Sequence, residues 1–282
     1  MSDRTRSAGL ESARTAERNG TVPRVTLMLA SHDRLSLLKE AVESALAQVY
    51  PRFEVLVVDD GSGRETTDWL RSQAAEHGNL RVSFQAHEGV GAARAHGVRE
   101  STGEIICVLD SDDLLAPNAL AVVVDALDQE PRADLVYVDN IHLLPNGERR
   151  RRSYPVYSSN RAMLWATLLS ARVPFKHTGT AYRRNAALAL GSYDSGLPCK
   201  VDIDLFLKFL VDERPVRLVR EPLAFFRRHE RSMSRDRRAG IRAWFVLIDR
   251  YAPGIPGVRW PLKLLRAAFE TAKWAHEQVL GR

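Results

Sequence analysis

The stretch Glu54-Val-Leu-Val-Val-Asp-Asp-Gly-Ser62 is a short, continuous apolar run that ends in two carboxylates, a glycine and a serine. The same design appears at Val25-Thr-Leu-Met-Leu-Ala-Ser-His-Asp33 and again at Ile105-Ile-Cys-Val-Leu-Asp-Ser-Asp-Asp113. Short apolar runs alternating with helix-length segments read as buried parallel strands in βαβ units. Open α/β sheets bind ligands outside the carboxyl ends of their strands, so the three acidic turns are expected to share one crevice.

Working outward, Leu35, Leu38, Ala41, Val42, Ala45, Leu46 and Val49 recur at helical spacing, with Asp33 placed to cap the helix start. A polar helix over about 66–76 leads to a strand over 80–85, and the Gly-rich turn 87–91 opens a helix that runs to about residue 100. A fourth strand spans 105–109, Pro117 marks a new helix, and a fifth strand spans 135–138. Beyond it the alternation fails. Residues 148–153 read as a charged turn with four consecutive arginines, and the segment to about 235 mixes helical and irregular pieces. Two terminal helices are expected over 239–251 and 262–280, joined by a Pro- and Gly-rich stretch. The fold class is α/β, with a mainly parallel sheet flanked by helices and a C-terminal helical extension.

A chain of 282 residues with 45% hydrophobic composition can bury a sizeable core. Its net charge of +6 admits phosphate-rich partners or an anionic membrane surface. Cys107 and Cys199 form no Cys-x-x-Cys pair, which fits a reducing, cytoplasmic setting. Residues 1–22 lack an apolar core region and read as a disordered leader rather than a signal peptide. No run approaches the roughly 20 apolar residues of a membrane helix.

Carboxylates at strand ends repel phosphates unless a divalent cation sits between them, and magnesium or manganese typically uses one or two carboxylates plus phosphate oxygens. Asp110-Ser111-Asp112-Asp113 supplies that chemistry; the plain alternative is that these aspartates solvate a turn. A calcium loop does not fit, because Leu115 stands at the sixth position and Ala121 at the twelfth. Gly89-Val-Gly-Ala-Ala-Arg94 partly matches an NAD-type dinucleotide fingerprint, but Arg94 replaces the third glycine and the element follows the third strand. Arg94 on the first turn of a helix is better suited to pair with phosphate or stack on a base.

Taken in order, Ala30-Ser-His-Asp33, Val57-Val-Asp-Asp-Gly-Ser62, the segment 89–97 and Leu109-Asp-Ser-Asp-Asp113 resemble a family 2 glycosyltransferase of the GT-A fold. The resemblance spans about 25–234 and implies a Rossmann-like domain over 23–235, with a nucleotide-sugar half at about 23–140 and an acceptor half at about 141–235. It leaves C-terminal helices over 236–282. It implies that Ala30, His32 and Asp60 line the base and ribose of a nucleotide sugar, UDP- or dTDP-linked, and that Asp110 and Asp112 form an Asp-x-Asp pair, with Arg94 and Ser111 also among the nucleotide-sugar contacts. Asp112 would carry Mg2+ or Mn2+, with His229 approaching the metal or the diphosphate. Asp202, in Val201-Asp-Ile-Asp-Leu205, falls where the family places its general base; Val201 stands in place of the usual Glu, so Asp204 stays an alternative.

What the resemblance implies is inverting transfer of a sugar to an acceptor hydroxyl on a glycan, lipid-linked or small-molecule acceptor, in polysaccharide or other glycan assembly. The other classes considered are an NAD-type oxidoreductase and a basic nucleic-acid-binding protein; the latter rests on charge alone, and no nucleic acid is expected. Arg149 to Arg152 could hold a phosphate-bearing acceptor, although a charge run is usually a solvated loop. Leu264, Leu265, Ala268, Ala272, Ala275 and Val279 lie near one stripe of the last helix. That pattern admits docking, a homodimer contact, or peripheral contact with the inner face of the membrane, where Trp260 and Trp274 would sit.

Overall fold

Alternate side chains of the first strand, β1 (Val25–Ser31), belong to different hydrophobic cores. Val25, Leu27 and Leu29 pack with Leu38 and Val42, whereas Met28 packs with Val98 and Ile106. Successive strand residues point to opposite faces, so a strand covered on both sides is apolar throughout. That is why the opening runs show no alternation. The computed structural model in which this is seen describes residues 23–227, 236–252, 254 and 257–279; the leader expected over 1–22 lies outside them.

After β1 come α1 (Leu35–Leu46), β2 (Phe53–Asp60), α2 (Arg64–Glu76), β3 (Leu80–Gln85), α3 (Val90–Glu100), β4 (Ile105–Val108), β5 (Leu114–Leu115) and α4 (Ala119–Gln129). The second half holds β6 (Leu135–Leu143), β7 (Arg149–Arg152), α5 (Asn160–Leu169), β8 (Ala181–Arg183), α6 (Arg184–Ala189), α7 (Val201–Val211) and β9 (Val216–Arg227). Two helices, α8 (Arg237–Tyr251) and α9 (Arg259–Val279), follow. Among the described residues one sheet runs in the order β3-β2-β1-β4-β8-β6-β9-β5, with β7 on β6. The strands β1 to β4 are mutually parallel. Their carboxyl ends, and the loops that follow, therefore lie along one edge.

Several expectations need correction. Asp33 does not cap α1: the cap position is Arg34, with no side-chain hydrogen bond. Asp33 has φ 47°, and its carboxylate accepts the Gly63 amide at 2.7 Å while its own amide donates to Ser62 Oγ at 2.9 Å, tying the β1 loop to the β2 loop. The arginine run is not a turn but strand β7, antiparallel to β6 with His142 opposite Arg150. Arginines on an edge strand discourage further strand pairing. Strand β9 is unforeseen because Glu221-Pro222 interrupts its pattern; Pro222 falls opposite Asp139 at an irregularity in the β6 register, where a missing amide is tolerated.

Helix α8 docks through Trp244, Leu247 and Ile248, which join the main core, whereas α9 docks in part by charge. On α9 the buried positions are Leu262, Arg266 and Glu270, not the apolar stripe, of which Leu264 is 67% exposed. The Arg266 guanidinium lies 3.5 Å from the Trp244 ring centroid and donates to the carbonyls of Thr167 and Leu168. Glu270 accepts from Trp244 Nε1 at 3.3 Å and pairs with Arg237 at 3.2 Å.

At the opposite end of β2 from the acidic turn, Glu54 is the structural knot of the parallel strands. Its carboxylate accepts Thr26 Oγ1 at 2.7 Å, Thr102 Oγ1 at 2.7 Å and the Thr102 amide at 2.9 Å, and pairs with Arg81 at 2.8 Å. Burial pushes the Glu54 carboxyl upward, but Arg81, Thr26 and Thr102 outweigh it and hold it below the usual carboxylate range. We expect Glu54→Ala to lower the stability by about 2–3 kcal/mol in urea denaturation, because charged hydrogen bonds are lost and buried donors left unmet. A depressed folded-state pKa means that this contribution is present above the unfolded value and lost as pH falls through the folded one. The deficit of the variant should therefore shrink in acid.

Candidate active site

The loops after β1, β2, β3 and β4 meet because their backbone donors converge on carboxylates. Asp60, at the end of β2, is buried; its carboxylate accepts Gln85 Nε2 at 2.8 Å and the amides of Glu88 and Gly89, both at 2.9 Å. Burial raises the Asp60 carboxyl, and these donors with His87 more than reverse it, leaving the group below its ordinary value. The amides of the Gly-rich turn are thus spent on Asp60, which removes them from the pyrophosphate cradle that a dinucleotide fingerprint needs. Gly61, with φ +74°, makes the turn possible: a Cβ there would lie 2.7 Å from the His87 amide nitrogen.

His32 and His87 stack above this turn, with ring centroids 3.9 Å apart and an interplanar angle of 23°. Both Nδ1 atoms face the Asp60 carbonyl, at 2.8 and 3.0 Å. Ala30 packs against the small cluster of Leu56, Val58 and Ala93. His32, Asp60 and Ala30 therefore sit on adjacent strand ends, as a half-exposed imidazole platform over a fixed carboxylate.

The acidic cluster after β4 is assembled by antiparallel pairing. Strand β8 pairs β4 with Cys107 opposite Ala181, and the Gly179 amide donates to the Val108 carbonyl at 2.8 Å. Extending that register brings Thr178 beside Asp110, whose amide donates to Thr178 Oγ1 at 3.2 Å. His177 Nδ1 then lies 2.8 Å from Asp110 Oδ1, and Arg94 Nη2 lies 2.5 Å from the same oxygen. Burial opposes ionisation of Asp110, but His177 and Arg94 hold it far below the carboxylate range. Asp112 pairs with Arg34 at 2.6 Å. Asp113 is buried, accepting Thr178 Oγ1 at 2.6 Å and the Arg227 amide at 2.9 Å; burial and then the Asp112 and Asp110 carboxylates push it well above its ordinary value. Ser111 is buried within the same turn.

On the far wall, His177 Nε2 lies 2.8 Å from the Tyr193 hydroxyl, which lies 3.0 Å from that of Tyr182. These three side chains, Phe175 and Asp202 line one recess. Asp202 is half-buried on the first turn of α7, within electrostatic reach of Arg94 and Lys176. Burial pulls the Lys176 ammonium below its ordinary value against the opposing pull of Asp113, Asp202 and Asp110. Gly91, on α3, permits the closure of this side, since a Cβ there would come within 2.5 Å of the Asp194 carbonyl oxygen.

Asp204 is differently placed. It is fully buried, paired with Lys208 at 3.0 Å and Arg250 at 3.3 Å, and accepts the Tyr251 hydroxyl at 2.7 Å. Arg250 also pairs with Asp194. This network fastens the end of α8 to α7. The helix begins at Val201 after Lys200, so neither Asp202 nor Asp204 caps it.

The structure thus brings together Ala30, His32, Asp60, Arg94, Asp110, Ser111, Asp112 and Asp202 along one edge; His229 lies outside the described residues. It adds His177, Tyr193, Lys176, His87 and Arg34, whose partnership depends on pairings that sequence spacing does not show. Among the described residues no three His, Cys, Asp or Glu side chains form a metal cage. The acidic turn gathers the carboxylates of Asp110, Asp112 and Asp113 within four residues, and such hard oxygen donors suit Mg2+ or Mn2+ completed by phosphate oxygens.

The model of the family described as glycosyl transferase family 2 matches residues 26–190, more than half of the chain. Chondroitin synthase of Escherichia coli is 29% identical over 66% of this chain and 26% of its own length. The O-antigen biosynthesis protein RfbC of Myxococcus xanthus is 28% identical over 78% of this chain and 17% of its own. The chain thus spans only about a quarter or less of these curated relatives. Among solved structures, S. aureus TarS 1-349 in complex with UDP-GlcNAc aligns with TM-score 0.65 and 17% identity over 87% of this chain and 71% of that one. The mannosyltransferase PcManGT of Pyrobaculum calidifontis, in complex with GDP-Man and Mn2+, gives 0.62 and 20% over 93% and 76%. These likenesses show the GT-A fold.

The two carboxylates of α7 can be separated experimentally. Asp204→Asn should lower stability by about 3 kcal/mol, the scale for breaking a buried ion pair, read as a shift of the urea midpoint. Affinity for UDP, read by calorimetry, should stay within a few-fold, since Asp204 has no face on the recess.

Proposed function

The chain belongs to glycosyltransferase family 2, and we propose that it moves a sugar from a nucleoside diphosphate donor, UDP- or dTDP-linked, to an acceptor hydroxyl with inversion. The acceptor is a glycan or lipid-linked glycan in polysaccharide or other glycan assembly. One observation supports the reading most: His177 contacts Asp110 of the acidic cluster and lines, with Asp202, the adjoining recess. Donor-side carboxylates and a solvent-reaching carboxylate thus share one wall. The proposal assigns about 23–140 to donor binding and about 141–235 to the acceptor. A cytoplasmic setting accords with the two free cysteines. No helix of the described residues is long and apolar enough to cross a membrane.

His32 and His87 offer the face for a base, and Asp60 is held ionised beside them to accept ribose hydroxyls. Arg94, fixed by Asp110, is aimed where phosphate or sugar oxygens would lie. Asp202 takes the proton of the acceptor hydroxyl as that oxygen attacks the anomeric carbon, on the face opposite the departing diphosphate. Departure as a diphosphate needs no carboxylic acid to protonate it, unlike glycoside hydrolysis. Asp112 and the donor's own oxygens would hold Mg2+ or Mn2+, which when bound supplies Lewis-acid stabilisation of the leaving group. Arg34 would have to release Asp112 for this, and its guanidinium would then be available to pair with the phosphates.

Calorimetry with UDP and manganese tests the donor side. Asp112→Ala should abolish the metal-dependent part of binding with the melting temperature nearly unchanged; a lowered melting temperature with unchanged affinity would make Asp112 a turn residue only. On the acceptor side, Asp202→Asn should reduce transfer by roughly 10²- to 10⁴-fold, the contribution of a positioned base, with donor affinity kept within a few-fold. Normal transfer by Asp202→Asn would remove Asp202 from the chemistry.

A further inference from the structure

Helix α9 docks by a face that mixes Leu262 with the charged Arg266 and Glu270 and leaves an uncharged face outward. Between Trp260 and Ala275 its charged side chains are Lys263, Arg266, Glu270 and Lys273, and each is engaged on the side turned to the domain. Lys263 pairs with Asp249 at 2.7 Å, Arg266 is buried on Trp244, and Glu270 is buried with Lys273 3.5 Å away. The remaining sector, from Trp260 through Leu264, Ala268 and Ala272 to Trp274, carries no charge. It is turned outward: Trp260 is 69%, Leu264 67% and Trp274 52% exposed. An uncharged helix face with tryptophan near each end, left in solvent, marks an interaction surface.

Charge selects the occupant. Residues 236–282 hold nine Lys or Arg against four Asp or Glu, a net +5 of the chain's +6. The exposed arginines Arg238 and Arg242 lie on the α8 stripe that continues through Phe245 to Asp249, at the four, three, four spacing of one helix face. Lys263 bridges that stripe to the apolar sector, 5.4 Å from the Phe245 ring and 5.2 Å from that of Trp260. Arg238 and Arg242 therefore stand on the side of the uncharged face at which Lys263 is paired with Asp249. A second copy would bring an equal positive charge to the same border, whereas an anionic bilayer surface meets both parts: headgroups against the arginines, and the tryptophans and Leu264 at the acyl boundary. We propose that α8 and α9 form a peripheral docking surface for anionic lipid, with α9 lying in the plane of the bilayer.

Flotation of the full chain with vesicles tests this. Vesicles containing phosphatidylglycerol should carry the protein, neutral phosphatidylcholine vesicles should carry several-fold less, and raised salt should release it. Leu264→Glu, on the exposed sector, should abolish flotation, and Arg238→Glu/Arg242→Glu should weaken it at least several-fold, with melting temperature and UDP affinity near wild type in both. Equal recovery on neutral and anionic vesicles would overturn the lipid assignment. So would unchanged flotation of Leu264→Glu, or a protein that ignores vesicles and instead dimerises in light scattering until Leu264→Glu is introduced.

Discussion

Three carboxylates within four residues can be packed at the end of a buried strand only if each finds its own compensation. Asp110 is met by Arg94 and His177, Asp112 by Arg34, and Asp113 by Thr178 and the Arg227 backbone. Removing a buried charge from water is costly unless partners replace the water. The partners here come from the loop after β1, from α3, from the segment before β8 and from the end of β9. The demand of one turn thereby fixes the relative placement of both halves of the sheet. Burial and its two acidic neighbours push Asp113 toward its neutral form, which relieves the crowding within the turn.

The strands β1, β2 and β4 were legible because both faces of that part of the sheet are covered, which writes each as a mainly apolar run, whereas the edge strand β3 shows as an alternating one. Strands β7 and β9 were not. An edge strand needs no apolar face, and Pro222 is admitted only because the ladder is irregular opposite it. The same distinction holds at the site. Carboxylates announce themselves at strand ends, but their partners arrive by antiparallel pairing between segments distant in sequence, and no local pattern encodes that. His177 is an example: nothing in the run around it sets it apart until β8 is laid against β4. The docked face of α9 was hidden for the opposite reason, since two of its buried positions, Arg266 and Glu270, are charged.

The C-terminal helices also bear on the site from behind. Arg250, at the end of α8, grips Asp194 beside the Gly91 turn and Asp204 on α7, and Tyr251 adds a hydrogen bond to the same carboxylate. Asp202 is carried two residues earlier on that helix. Its position relative to Arg94 and His177 is therefore braced by residues beyond the part of the chain that the family model matches. This bracing has few rotatable links, because Asp204 is held from three directions.

The pairing of β8 with β4 has a consequence for how the molecule comes into being. Asp110 and His177 are 67 positions apart, and Asp113 and Arg227 are 114 apart. Contacts of such separation form late, since the loop entropy must be met before the contact returns anything. Until the second half of the chain has closed against the first, the strand-end aspartates sit beside one another with their distant donors missing, and mutual repulsion keeps that edge loose. A ribosome-bound or proteolysed fragment ending near residue 140 would hold the first parallel strands with an unsettled acidic rim. Full compensation of the acidic turn therefore requires the second half of the chain to be in place.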